Sequence, residues 1–290
     1  MKKNIFLLWL QGWNKAPWLQ KEVLKSWSIN NPDWNIELIE QNNLINYVDD
    51  IDYIFDDEKN ITPQAKSDII RLSLLKNIGG VWADSTMLCM QPLDHWIFNA
   101  IEPSGLWMYH GHGGGLSSDL GPASWFIAAK NECYLIKEWK YACDYFWNMN
   151  NEAKSYFWMD GLFRDLIENN QSFKSQWLKT PFLYCEKPGS SHSLANYNYG
   201  MAKNSKYLKN ILKYKPPYAL KLSNQLETIF PSFNSIKFKK SNVYFAISMS
   251  KRKFIYKHNF DIPILKSVPI KIKIRFIISN FLRFLRKLIV

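Results

Sequence analysis

No run of about eighteen consecutive apolar residues occurs in this chain, so none of it reads as a membrane-spanning helix. Glycine (12) and proline (13) are too few among 290 residues for a collagen-like or low-complexity protein. The four cysteines, Cys89, Cys133, Cys143 and Cys185, include no C-x-x-C pair. Free buried thiols in a reducing compartment are expected, not a disulfide framework or a zinc site. There is no G-x-S-x-G nucleophile elbow, which removes an esterase reading of His110-Gly111-His112-Gly113-Gly114-Gly115. That segment is expected to be a loop over a site, not a metal-ligand pair, and His192 is expected to be structural. No internal repeat and no Gly-, Ser- or Pro-rich linker divides the chain.

Acidic residues are scarce at one end only. From Met249 to Val290 there are eleven Lys or Arg and a single acid, Asp261, whereas the preceding residues carry 26 bases against 24 acids. The net charge of +12 therefore belongs mainly to the tail. A nearly neutral body argues against a nucleic-acid-binding fold, which would carry a basic face across it. With 47% hydrophobic and 21% charged residues, the body can bury a full core.

Met1-Lys2-Lys3 followed by Ile5 to Leu10 imitates a signal peptide, but Gln11 breaks the apolar run and no small-residue cleavage pattern follows. A strand buried on both faces is the better reading. A helix is expected from Pro17 to Trp27, stopped by Asn30-Asn31-Pro32-Asp33, and then a strand over Trp34 to Ile39. Strand, helix, strand predicts a βαβ unit and a parallel sheet. The next helix has Thr62 as N-cap, Pro63 at its first position and Gly79 as its left-handed stop. Val81-Trp82-Ala83 then predicts a strand with Asp84 at its carboxyl end, where ligands bind in open α/β sheets. Helices are expected around Asn131 to Met149 and Lys154 to Asn169. The stretch from Lys174 to Lys240 shows no readable pattern.

Asp68 and Arg71 share one helix face, and Asp84 stands on the neighbouring strand end. Two carboxylates and a guanidinium can fix a polyhydroxyl ligand, the acids accepting from hydroxyls and the arginine donating as a fork. An i,i+3 Asp–Arg pair taken alone is more often a solvated ion pair.

The longer string is more specific. Lys66-Ser67-Asp68-Ile69-Ile70-Arg71, Leu74-Leu75, Gly79-Gly80-Val81-Trp82-Ala83-Asp84-Ser85-Thr86 and Gln91-Pro92-Leu93-Asp94 together resemble the DxD region of sugar-nucleotide glycosyltransferases. The family is the one containing yeast-type initiating mannosyltransferases and glucosylating clostridial toxins, and the bacterial capsular polysaccharide synthesis group within it is the most similar. The opening Ile5 to Trp9 with Gln11-Gly12, Pro17, Trp27, Asn31-Pro32-Asp33-Trp34, Asn43-Leu44 and Ser124 to Ala129 fit as well. Ser155-Tyr156-Phe157 with Asp160, and Leu220-Lys221-Leu222, fit more loosely.

The resemblance implies a GT-A-like (Rossmann-like) α/β transferase domain over residues 1–255. It implies a nucleotide-sugar donor, a UDP-sugar, and transfer to a growing capsular or surface polysaccharide with retention of configuration. Trp9 would stack on the base, and Gln11 and Gly12 would form the loop beside the nucleotide. Asp68 and Arg71 would hold the donor sugar, Trp82 would pack near it, and Asp84 would touch ribose, sugar and metal. Lys221 would contact phosphate, while Asp160 and Trp125 would lie on the acceptor side. Mn²⁺ or Mg²⁺ would bind Asp84 and Thr86. Thr86 replaces the usual second acid with a neutral, weaker ligand, so Asp94 or a residue far downstream would have to complete the shell. Sugar-1-phosphate transfer and a catalytically degenerate assembly factor are the alternatives.

Residues 256–290 form a basic tail. At about 100° per residue, Arg275, Ser279, Arg283, Arg286 and Lys287 fall on one side. Ile274, Ile277, Phe281, Leu285 and Leu288 fall on the other, with Phe276 the exception. This pattern predicts a helix, within residues 270–290, lying in an anionic membrane surface, the alternative being a terminal helix packed on its own domain. A peripheral enzyme on the cytoplasmic face of the cell membrane, acting on a lipid-linked glycan acceptor, is the expectation.

Overall fold

A computed structural model describes residues 1–111, 121–185, 194, 206–229, 232–252, 270 and 274. The first strand, β1 (Asn4–Leu8), is followed by α1 (Trp18–Asn30) and β2 (Asn35–Ile39). β1 and β2 pair in parallel from Asn4↔Asn35 to Leu8↔Ile39, so the expected βαβ unit is present. A second crossover, α2 (Pro63–Asn77), returns the chain to β3 (Gly80–Ala83), which pairs in parallel with the other side of β1.

The remaining elements are β4 (Met87–Cys89), α3 (Ile97–Ile101), β5 (Leu106–His110), β6 (Pro122–Ala129), α4 (Tyr134–Met149), α5 (Trp158–Asn169) and α6 (Gln171–Trp177). After them come α7 (Lys206–Tyr214), β7 (Ala219–Lys221), α8 (Gln225–Ile229), α9 (Ile236–Lys239) and α10 (Asn242–Ser250). The central sheet has the order β2-β1-β3-β6-β5. The parallel expectation holds for β2, β1 and β3, but β6 runs antiparallel to both β3 and β5. β4 and β7 form a separate antiparallel ribbon.

Alternation along β1 divides the core. Ile5 and Leu7 join one apolar cluster with Leu19, Val23 and Trp27 of α1. Phe6 and Leu8 join a second cluster with Ile69, Ile70 and Leu74 of α2 and with Trp139 of α4. Successive strand residues point to opposite faces, so the sheet is the middle of three layers. Each such large side chain, removed from water, contributes about 1.5–3 kcal/mol.

Thr62 caps α2 as expected, accepting from the Ala65 N–H at 3.2 Å, and Pro63 opens the helix. Gly79 ends it at φ +70, and a Cβ there would lie 2.6 Å from the Asn131 main-chain nitrogen. The helix expected from Lys154 begins later, at Trp158. All four cysteines are free and buried. Among the described residues no helix is long and apolar enough to cross a membrane. The boundary at residue 255, the loop from His112 to Gly115 and His192 lie outside the described residues. Of the tail, only Ile270 and Ile274 are described, both helical and both exposed.

Candidate active site

Because β1 and β3 are parallel neighbours, their carboxyl ends open on the same edge of the sheet. A cavity of about 620 Å³ lies there, a volume in the range of small-molecule sites. Leu8, Trp9, Leu10 and Gln11 line it from the end of β1, and Trp82, Asp84, Ser85 and Thr86 from the end of β3. Asp68 and Arg71 enter from α2, Ser124 and Trp125 from β6, Asp160 from α5 and Lys221 from β7. Ten of the eleven predicted donor- and acceptor-side residues and metal ligands therefore share one cavity. Gly12 does not line it. With φ +97, Gly12 turns the chain beside Glu40 in a neighbouring depression.

Arg71 is the hub, with only 6% of its side chain exposed against 15% for Asp68. It is therefore not a solvated surface pair. Its Nη1 donates to the Ser124 carbonyl at 2.7 Å, and its Nε donates to the Ser67 carbonyl at 3.3 Å. Nη2 lies 3.0 Å from Asp68 Oδ1 and 3.5 Å from Asp84 Oδ1. The guanidinium also sits over the Trp82 ring at 5.1 Å, a cation–π placement.

The Asp84 main-chain N–H donates to the Trp125 carbonyl at 2.9 Å, continuing the β3–β6 ladder past the strand end. Its carboxylate accepts from Trp82 Nε1 at 3.0 Å on Oδ1 and from Lys221 Nζ at 2.6 Å on Oδ2. Burial pushes Asp84 upward, but the Lys221 and Arg71 charges outweigh it and hold the carboxyl below its ordinary range. Asp68 behaves differently. Burial, helped by the Asp84 charge and opposed by Arg71, raises it to about 6. Asp160 is raised to about 7 by burial and the nearby Asp68 charge, against Arg71 and Arg164. Among the described residues its Oδ1 has no hydrogen-bond partner. One lowered carboxyl and two raised ones in one cavity set a firm anion, Asp84, beside two acids whose titration is moved toward neutrality, an arrangement found at catalytic sites.

Two lining residues, Gln20 and Glu227, had no sequence signal of their own, whereas Tyr156 and Phe157 belong to the looser part of the family likeness. Gln20 and Glu227 line the wall, and Glu227 Oε1 accepts from the Leu19 N–H at 3.1 Å in the first turn of α1. Tyr156 and Phe157, 74% and 45% exposed, form the rim, their ring centroids 5.1 Å apart. His110 is instead a core residue, stacked on Trp177 at 4.6 Å and pushed down to about 3 by burial.

The donor set does not fit the expected Mn²⁺ or Mg²⁺. Such ions demand several hard oxygen ligands. Here Asp84 Oδ2 and Thr86 Oγ1, the oxygens a DxD-type centre would present, both contact Lys221 Nζ, at 2.6 and 2.8 Å. Asp94 does not line the cavity and pairs instead with Lys3 Nζ at 2.9 Å and Trp34 Nε1 at 3.0 Å. The far-downstream residue that does arrive is a cation. Among the described residues no group of three or more His, Cys, Asp or Glu side chains is placed to hold a metal.

Residues 1–233 match the family described as capsular polysaccharide synthesis protein. The chain belongs to that family. In this family member the match takes in every cavity element described above, from β1 to β7. The O-glycosyltransferase braB of Annulohypoxylon truncatum is 27% identical over 154 residues, which is 47% of this chain. The matched region is 36% of that relative's length, so the chain spans little more than a third of it. Among solved structures, PaToxG glycosyltransferase is similar with a TM-score of 0.42 at 13% identity, covering 87% of each chain. The apo-form glycosyltransferase GlyE of Streptococcus pneumoniae TIGR4 is similar with a TM-score of 0.43 at 13% identity, covering 78% of this chain and 55% of GlyE.

Proposed function

We propose that this protein is a glycosyltransferase that moves a sugar from a nucleotide sugar, a UDP-sugar, to a growing capsular or surface polysaccharide, with retention of configuration. One observation carries the reading: Asp84, at the carboxyl end of β3, gathers Arg71, Trp82 and Lys221 around a single carboxylate inside the cavity. Family membership and the glycosyltransferase relative support it.

Each side chain then has a task set by its chemistry. The exposed face of Trp9 stacks on the base at the end of β1. Asp84 and Asp68 accept hydroxyls of the ribose and the donor sugar. Arg71, its fork held by Ser67, Asp68 and Ser124, keeps both acids in place. Lys221 faces the diphosphate, whose negative charge grows as the glycosidic bond breaks and the sugar carbon becomes oxocarbenium-like. Asp160, with a carboxyl that exchanges its proton near neutrality, meets the acceptor hydroxyl below the Tyr156–Phe157 rim. The acceptor is a glycan, lipid-linked, and the basic amphipathic pattern of residues 270–290 holds the enzyme at the anionic inner face of the membrane.

The test is incubation of the full chain with a panel of UDP- and GDP-sugars and a membrane glycan extract, followed by analysis of both products. Glycosyl transfer releases the nucleoside diphosphate and lengthens the glycan by one sugar. Release of the nucleoside monophosphate instead identifies sugar-1-phosphate transfer. Neither product, with every donor, leaves the degenerate assembly factor.

A further inference from the structure

Lys221 stands where a metal ion would be expected, and main-chain register puts it there. β7 pairs with β4, the strand that begins immediately after Asp84-Ser85-Thr86, with Lys221 opposite Met87 and Leu220 opposite Leu88. The Leu222 N–H donates to the Thr86 carbonyl at 2.9 Å, which closes the ribbon beside the site. Ala219, Leu220 and Leu222 on either side are buried, so the ribbon cannot slip by one residue without exposing them. The register thus sets the Lys221 main chain beside Asp84, and from there its side chain, only 17% exposed, reaches the carboxylate.

An ammonium has three N–H donors. In Lys221 two are directed at Asp84 Oδ2 and Thr86 Oγ1, and one remains for the cavity that the residue lines. Asp84, the acid that a divalent cation would need, is already the counter-ion of Lys221 and Arg71. A divalent cation bound there would have to share two oxygens with one ammonium and lie close to a guanidinium. A diphosphate in the same place meets two cations already positioned for it.

We infer that Lys221 is a built-in cation for the donor diphosphate, replacing the divalent metal of a DxD centre, so that the nucleotide binds without metal. Thr86 is then no lost metal ligand. Its hydroxyl, neutral and small, steers the ammonium without adding a second negative charge that would pull it away from phosphate. This rests on the nucleotide-sugar reading above.

The experiment is calorimetric titration of UDP and of GDP into the full chain, in EDTA and in Mn²⁺, for the native protein, Lys221→Ala and Lys221→Arg. In the native protein the affinity for the preferred nucleotide is expected to agree within about twofold between the two buffers. Lys221→Ala is expected to weaken binding by about 10- to 100-fold in both, the loss expected for a hydrogen bond to a charged group. Lys221→Arg, which keeps the charge, is expected to recover most of that loss. Titrating Mn²⁺ alone against the native protein is expected to leave the free-ion paramagnetic resonance signal undiminished. Native binding that EDTA abolishes and Mn²⁺ restores overturns the inference and leaves the nucleotide-sugar reading intact. Unchanged affinity in a folded Lys221→Ala variant overturns it too, reducing the contact to a structural salt bridge. If neither nucleotide binds in either buffer, the donor reading falls and the inference with it.

Discussion

Trp82 Nε1 donates its proton to Asp84 Oδ1 at 3.0 Å, across one intervening residue of the same strand end. The ring that makes this bond also carries the Arg71 guanidinium on its face. Trp82 therefore orients an acid and a base at once. Trp82→Phe keeps an aromatic face for Arg71 and removes only the N–H. The expected result is a fall in kcat/KM of about 10- to 100-fold, the range of a hydrogen bond to a charged group, with a small change in melting temperature. Steady-state kinetics beside a thermal melt checks it.

Arg71→Lys preserves the charge and loses the fork. The Ser124 carbonyl and Asp68 Oδ1 are both addressed by the guanidinium at different nitrogens, and a single ammonium nitrogen without the planar fork cannot serve both in that geometry. The variant is expected to be less stable by about 1–3 kcal/mol, from a buried acceptor left unmatched, and to lose activity as well. Chemical denaturation measures the first effect. A stability equal to that of the native protein would mean that the fork does not hold the site together.

The raised carboxyls give stability a particular dependence on pH. Asp160 titrates at about 7 and Asp68 at about 6 in the folded chain, against 3.8 as the ordinary aspartate value. Between those limits the folded state binds more protons than the unfolded one, so their contribution to stability falls as pH rises. It is fully present below about pH 3.8 and lost once pH passes about 7. Glu22, Asp50 and Asp84 are held low and act in the opposite sense, but below about pH 4.5. Buried His110 also acts oppositely, losing stability as pH falls below 6.5, so the difference between variants is the cleaner observable. Asp160→Asn is expected to gain stability relative to the native protein as pH rises from 5 to 8. A constant difference between the two melting curves would show that the carboxyl does not titrate there.

The tail carries a separate prediction. Removing residues 270–290 deletes six of the eleven C-terminal basic residues and the apolar residues opposite them. The shortened chain is expected to float free of vesicles that contain anionic lipid, while the full chain sediments with them and is released by high salt. Equal sedimentation of both would refute the anchor.

Legibility in the sequence followed the range of the interactions. β1 and α2 were readable because a continuous apolar run, a Thr-Pro start and a Gly stop are local signals. The antiparallel place of β6 was not, since its pairing with β3 joins Ala83 to Phe126 and no neighbouring residue encodes it. Asp68, Arg71 and Asp84 were found together because they lie on two consecutive elements joined by Gly79-Gly80. Lys221 was found only through family likeness. It meets Asp84 across 137 residues, from a three-residue strand in a stretch without periodicity. The sequence pointed there to a phosphate contact, and the contact with both Asp84 and Thr86 emerged only from the β4–β7 register. Gly12 turns the chain one residue beyond Gln11 of the cavity wall and lines the neighbouring depression with it.

Asp84 stands at the centre of the proposed chemistry. The most direct measurement is nucleoside diphosphate release from the preferred donor by the native protein and by Asp84→Asn, with circular dichroism confirming that both are folded. Asp84 lies at a strand end, partly exposed, and its main-chain bond to Trp125 survives the change. The fold should therefore persist while release falls by at least about 100-fold, the scale of losing one charged group aimed at the reacting centre. Release at the native rate from folded Asp84→Asn would contradict the account and move the chemistry away from this cavity.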